Sequence, residues 1–134
     1  MLVRLTPQRG GDGTIYPITT INDTGSSNMM LFDTDIALLG NSEDYDDWIG
    51  NVTVRDASGG KHTYQRLRVQ VQLARDDNSP WSDWIKEHAV VKPASRGVPR
   101  LSGRGIRKAL YMGTAPGNHV LAVATTKGGM TSLL

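Results

Sequence analysis

Alternation of apolar and polar positions is clearest between Asn51 and Leu73. Val52 and Val54 alternate with polar neighbours, Ala57-Ser58-Gly59-Gly60 makes a turn, and Tyr64, Leu67, Val69, Val71 and Leu73 follow. From Leu67 to Leu73 the string L-R-V-Q-V-Q-L has a strict period of two with Arg68, Gln70 and Gln72 outward, which predicts a hairpin with one buried face. Thr14 to Ile21 predicts an earlier strand, with Pro17 at its edge or end. A polar turn then leads to a second strand over Asn28 to Phe32, and Asp33 to Gly40 suits a short turn of helix. Later strands are expected over Glu87 to Val91, His119 to Thr125 and Met130 to Leu134, with Pro116-Gly117-Asn118 as a break and Thr126-Lys127-Gly128-Gly129 as a turn. Ile106, Ala109 and Leu110 recur at helical offsets and predict one short amphipathic helix. Met1 to Gly13, polar and Gly-rich at Arg9-Gly10-Gly11-Asp12-Gly13, reads as a flexible leader, and residues 14–134 read as one domain.

Composition narrows the picture. A chain of 134 residues is long enough for a single sizeable core. With 15 glycines, 6 prolines and strands rich in Val, Ile and Thr, it is expected to be an all-β protein. Fifteen basic and 13 acidic residues leave a net charge of +2, so nothing calls for a nucleic-acid partner. There is no cysteine, hence no disulfide or zinc–thiolate chemistry. No apolar run reaches transmembrane length, and the first residues lack the apolar core of a signal peptide, so no membrane association is expected. G-x-S-x-G, P-loop and H-E-x-x-H motifs are absent, and the spacing of His62, His88 and His119 suggests no metal site; no metal or other cofactor is expected. The acidic cluster Asn41-Ser42-Glu43-Asp44-Tyr45-Asp46-Asp47 lacks the glycine and terminal glutamate of an EF-hand and reads as a solvated loop. Trp81 and Trp84 read as core or interface packing.

One stretch carries candidate chemistry: Thr19-Thr20-Ile21-Asn22-Asp23-Thr24-Gly25-Ser26-Ser27, backed by Met29-Met30-Leu31-Phe32. Asp23 supplies a carboxylate at a turn between two strands. Gly25 permits a tight turn that brings its N–H to that carboxylate, Thr24 is short enough to be buried with its hydroxyl bonded, and Ser26 can donate to the outer carboxylate oxygen. Asp, Thr, Gly and Ser also make ordinary Asx-type turns, which is the plainer reading. The string D-T-G-S-S with apolar residues on both sides resembles the active-site loop of aspartic proteases.

A single Asp-Thr-Gly in so short a chain is similar to the retroviral (retropepsin-like) type, in which two subunits contribute one aspartate each. Asp33-Thr34-Asp35 lacks the glycine of a second copy. The resemblance implies a closed β-barrel with a hairpin flap and one short C-terminal helix. It also implies a homodimer, and a peptide or polyprotein substrate bound as an extended strand beneath the flaps. Catalytic residues would be Asp23, Thr24 and Gly25, with Ser26 and Ser27 in support; Ser58, Gly59 and Gly60 would form the flap tip. One Asp23 would act as general base on a shared water and the other would donate to the substrate carbonyl. The segment Arg100-Leu101-Ser102-Gly103-Arg104-Gly105-Ile106-Arg107-Lys108-Ala109-Leu110 resembles the stretch before the C-terminal strand of such proteases, where Gly103 would pack closely under the catalytic loop. A later alignment on Leu110-Tyr111-Met112-Gly113 is the alternative. The C-terminal hairpin would supply the interleaved dimer sheet.

This chain departs from the family pattern in two places. Asn22 stands where the family usually has an apolar residue, and Ser27 stands where the partner of the arginine after Gly103 would be acidic. Arg96, Arg100, Arg104, Arg107 and Lys108 otherwise read as a solvated basic face. These departures favour a rival reading, an inactive domain serving dimerisation or protein binding; a monomeric interaction module is a third. Asn22-Asp23-Thr24 and Asn51-Val52-Thr53 fit the glycosylation pattern, and sugar on Asn22 would block the site, so an intracellular, cytoplasmic setting is expected; the resemblance alone implies a retroelement-like or domesticated cellular origin.

Overall fold

The computed structural model describes residues 1–40, 43–117 and 119–133. Its spine is β5 (Lys61–Gln72), whose length follows from the alternating run. Leu67, Val69 and Val71 are fully buried, so the inward face is the one that the period of two predicts. One edge of β5 pairs antiparallel with β6 (Ile85–Lys92). The other edge is shared: β4 (Trp48–Arg55) takes the first half of β5, and β1 (Leu2–Arg4) takes Gln70 to Gln72. Beyond β6 lies β3 (Met29–Phe32), parallel to it, and beyond β1 lies the two-residue β2 (Tyr16–Pro17). Helix α1 (Asp33–Leu38) follows β3, and α2 (Arg104–Ala109) packs on β6. A separate two-stranded sheet pairs β7 (Tyr111–Thr114) with β8 (Leu121–Ala124), and α3 (Lys127–Leu133) closes the described chain.

Four sequence expectations are corrected. The fold is not a closed all-β barrel: a mixed six-stranded sheet stands beside a separate two-stranded one, with helices, as an α+β arrangement. Closure fails because the strand expected over Thr14 to Ile21 contracts around Pro17 to β2 and one isolated bridge, leaving too little edge to join. Residues 1–13 are not a free leader, since β1 is paired on both edges and Val3 and Leu5 are buried; their apolar side chains outweigh the glycines that follow. Residues 127–133 are helical instead of a last strand, because the Thr126 hydroxyl accepts the Gly129 N–H at 3.0 Å as an N-cap. That removes the expected C-terminal hairpin; residue 134, its last position, lies outside the described residues, as do Asn41, Ser42 and Asn118 of the acidic cluster and the helix break. The acidic loop is not merely solvated. Tyr45 is buried with its hydroxyl donating to the Arg68 carbonyl at 2.7 Å, and Asp47 pairs with Arg68 at 2.9 Å.

The β4–β5 hairpin ends in a braced turn. Asp56 Oδ1 accepts the Ser58 N–H at 3.0 Å, the Ser58 hydroxyl at 2.6 Å and the Gly60 N–H at 2.8 Å, while Oδ2 faces His62 Nε2 at 3.0 Å. Gly59 sits at φ +87°, which favours glycine. The Ser58 hydroxyl first, then His62, hold the Asp56 carboxyl well below the ordinary carboxylate range. Because the folded value is depressed, this bracing is present above the ordinary value of 3.8 and is lost as pH falls toward the depressed one. In an NMR titration the Ser58 and Gly60 amides are expected to hold their positions through pH 3.8; a transition centred there would show Asp56 to be free.

Candidate functional site

Residues 100–103 thread between the two arms of the Asp23 turn. On one side the Ile21 N–H donates to the Arg100 carbonyl (2.8 Å) and the Ser102 N–H to the Ile21 carbonyl (2.9 Å). On the other, the Met30 N–H donates to the Leu101 carbonyl at 3.0 Å. The turn is therefore clamped from beneath by a segment about 80 residues away in sequence, and of the two alignments considered it is Leu101-Ser102-Gly103 that occupies this place.

Three contacts tie the turn further. The buried Ser102 hydroxyl accepts the Asp23 N–H at 3.0 Å and lies 3.4 Å from Asn22 Oδ1, so the polar Asn22 has a partner. Arg107 donates to the carbonyls of Asp23 and Ser26, and to that of Gly103 at 2.9 Å. Arg100 forms a bidentate pair with the buried Asp35, both bonds 2.7 Å, and Asp35 Oδ2 also accepts the Phe32 N–H. Sequence reasoning placed Arg100 and Arg107 on a solvated basic face; both are structural. An i, i+3 step from Gly103-Arg104 to Arg107 was the available signal, but Arg100 and Asp35 lie too far apart in sequence to be paired from it. Among the described residues Arg104 makes no ion pair.

Gly103 has the close approach expected of it. A Cβ there would stand 2.5 Å from Glu87 Oε1 and 2.7 Å from the Met29 backbone nitrogen. Glu87 cannot yield, since its buried carboxylate accepts the Gly105 and Ile106 N–H groups at 2.7 and 3.2 Å; burial nevertheless pushes its carboxyl up from the usual range. Gly103→Ala is expected to cost about 1–3 kcal/mol in urea unfolding, and an unchanged midpoint would show that the clamp has slack.

The loop itself differs from expectation in detail. The Gly25 N–H reaches Asp23 Oδ1 at 2.9 Å, as the Asx reading requires. Yet Gly25 is not in the left-handed region, and a Cβ there would meet only Asp23 Oδ1 at 3.5 Å, an ordinary contact. The Ser26 hydroxyl donates to the Asn28 carbonyl instead of the Asp23 carboxylate. Thr24 is exposed, with no hydrogen bond to its hydroxyl among the described residues, and Ser27 is exposed as well. Among the described residues nothing covers Thr24, Gly25 or Ser27 on this rim.

Above it runs the hairpin. A cleft of about 400 Å³ separates the Gly25–Met30 arm from Val52, Thr53 and Val54 of β4, floored by Val90 and Leu101. The Ser58-Gly59-Gly60 tip is not part of that lining. Among the described residues no group of three or more His, Asp or Glu side chains is placed to hold a metal, and no helix is long and apolar enough to cross a membrane. No family model, curated protein or solved structure matches the chain.

Proposed function

We propose that the chain is an aspartic-type endopeptidase that works as a homodimer, with a water held between two Asp23 carboxylates, one from each subunit. The observation that carries this reading is the clamped turn: Asp23 sits on a loop fixed from beneath by residues 100–103 and Arg107, and its rim opens on a cleft roofed by a hairpin strand. Such a turn is far more heavily restrained than an Asx loop needs, and preorganisation is what a catalytic carboxylate requires. The exposed rim supports the second subunit. Gly25 is exposed with room beside it, and Thr24 has a hydroxyl with no hydrogen bond among the described residues that could bond across a two-fold axis.

In this arrangement one carboxylate takes a proton from the water as it attacks the peptide carbonyl, and the other donates to the carbonyl oxygen. No covalent intermediate forms. Substrate lies extended in the cleft beside β4. A mixed peptide library incubated from mildly acidic to neutral pH tests the reading: discrete cuts sensitive to pepstatin are expected. An inert dimer would instead favour the second reading, a dimerising or binding scaffold, which Arg104, without an ion pair among the described residues, also favours.

A further inference from the structure

A second groove of about 500 Å³ opens from the Asp23 loop at Ser27 and Asn28, and cations from three elements line it, Arg66 on β5, Lys86 on β6, and Arg104 and Lys108 on α2, with the His88 imidazole of β6 among them. The register explains the convergence. Arg68 lies opposite His88 and Arg66 opposite Val90, so Arg66, Lys86 and His88 share the face of the sheet turned away from Leu67 and Val69. Arg104 and Lys108, four apart, share one face of α2. The one carboxylate in the lining, Glu87, is already committed to the Gly105 and Ile106 amides. Burial, then the Arg68 and Arg66 guanidiniums, push the His88 imidazole down from its ordinary value, which leaves it neutral near pH 7 and reports the positive field it sits in.

Two features point to a ligand. Among the described residues Arg66 Nε is buried without a hydrogen-bond partner, an unmet donor in a groove already crowded with like charge. Ser27 also lines both the cleft beneath β4 and a third hollow formed with Thr24, Arg104, Arg107 and Lys108, so the basic groove adjoins the cleft beside the Asp23 loop. Of the acidic loop's carboxylates, Asp46 lies 3.9 Å from Arg9, and Asp47 pairs with Arg68 while opposing the downward push on His88.

We infer that this groove is an acidic-residue subsite of the Asp23 cleft, selecting extended peptides that carry Asp or Glu on one side of the bond to be cut. The inference rests on the peptidase reading for the bond-cutting step only. Peptide is favoured over nucleic acid because no Phe, Tyr or Trp is in the groove's lining among the described residues, and because it opens onto the loop that would hold a peptide.

The test uses the Asp23→Asn chain, which holds peptide uncut, with fluorescein-labelled oligoglutamate, oligoglutamine and oligothymidylate of equal length, read by anisotropy. Oligoglutamate is expected to bind about tenfold more tightly than oligoglutamine at low salt, with the preference shrinking as salt rises. Arg104→Glu combined with Lys108→Glu should weaken oligoglutamate about tenfold, and Arg96→Glu, on the exposed loop outside the groove, should leave it unchanged. Equal binding of the two peptides, an Arg96→Glu loss as large as that of the double variant, or tighter binding of oligothymidylate would overturn the inference. Peptidase failure is separately visible: a wild-type chain that cuts neither Glu- nor Gln-containing peptides, while the binding preference holds, refutes the peptidase reading and leaves the acidic-peptide site standing.

Discussion

Asp23→Asn is expected to lower peptide cleavage about a thousandfold at every pH while leaving fold and self-association intact. The structural reason for that separation is specific. Among the described residues the Asp23 carboxylate accepts only the Gly25 N–H, a bond that an amide oxygen accepts equally well. The contacts that hold the turn go to the Asp23 backbone, whose N–H donates to the Ser102 hydroxyl and whose carbonyl accepts from Arg107, and the substitution leaves them alone. Mixing wild-type and Asp23→Asn chains adds a second readout. If each site needs two aspartates and the chains exchange freely, the rate falls with the square of the wild-type fraction, whereas a linear fall means that each chain works alone. Cleavage by the Asn variant at the wild-type rate would remove Asp23 from the chemistry.

Arg100→Ala carries the largest expected effect on stability, a loss of about 3–5 kcal/mol in urea unfolding. It strands the Asp35 carboxylate, whose side chain is only 2% exposed, with the Phe32 N–H as its remaining partner. The Arg100 guanidinium also lies 4.9 Å from the Phe32 ring centre, so packing is lost together with charge. Replacing both partners, Asp35→Leu with Arg100→Leu, should cost less than Arg100→Ala alone, because no unpaired charge stays buried. Since residue 100 begins the segment that clamps the Asp23 turn, the single variant should also lose cleavage more steeply than it loses helix and sheet signal. A cost below about 1 kcal/mol would show that water or another cation reaches Asp35.

The two substitutions mark different kinds of information. The local geometry at Asp23, Gly25 and Gly103 was legible in the sequence because each answers to a local rule: a short polar turn between apolar strands, an N–H brought to a carboxylate, a residue without a side chain at a crossing. Arg100 and Arg107 were misjudged because a cation on an amphipathic segment looks the same whether it faces solvent or a carbonyl from another part of the chain.

What the chain determined by itself was therefore local and periodic. The alternation from Leu67 to Leu73 set the buried face of β5, the offsets of Ile106, Ala109 and Leu110 set α2, and Asp33 to Gly40 made its short helix. Pro17 signalled a strand that would not run far, though not that the sheet would stay open for want of its edge. Only the tertiary structure decided that Leu2 to Arg4 belongs in the sheet, since a three-residue strand is worth nothing until two neighbours pair with it. It alone settled residues 127–133, where weak strand and helix tendencies were nearly balanced and one threonine cap decided between them. It also brought Arg66, Lys86, Arg104 and Lys108 into one groove. Their positions span more than 40 residues, and charge, unlike hydrophobicity, leaves no period in a sequence by which distant members of a cluster can be matched.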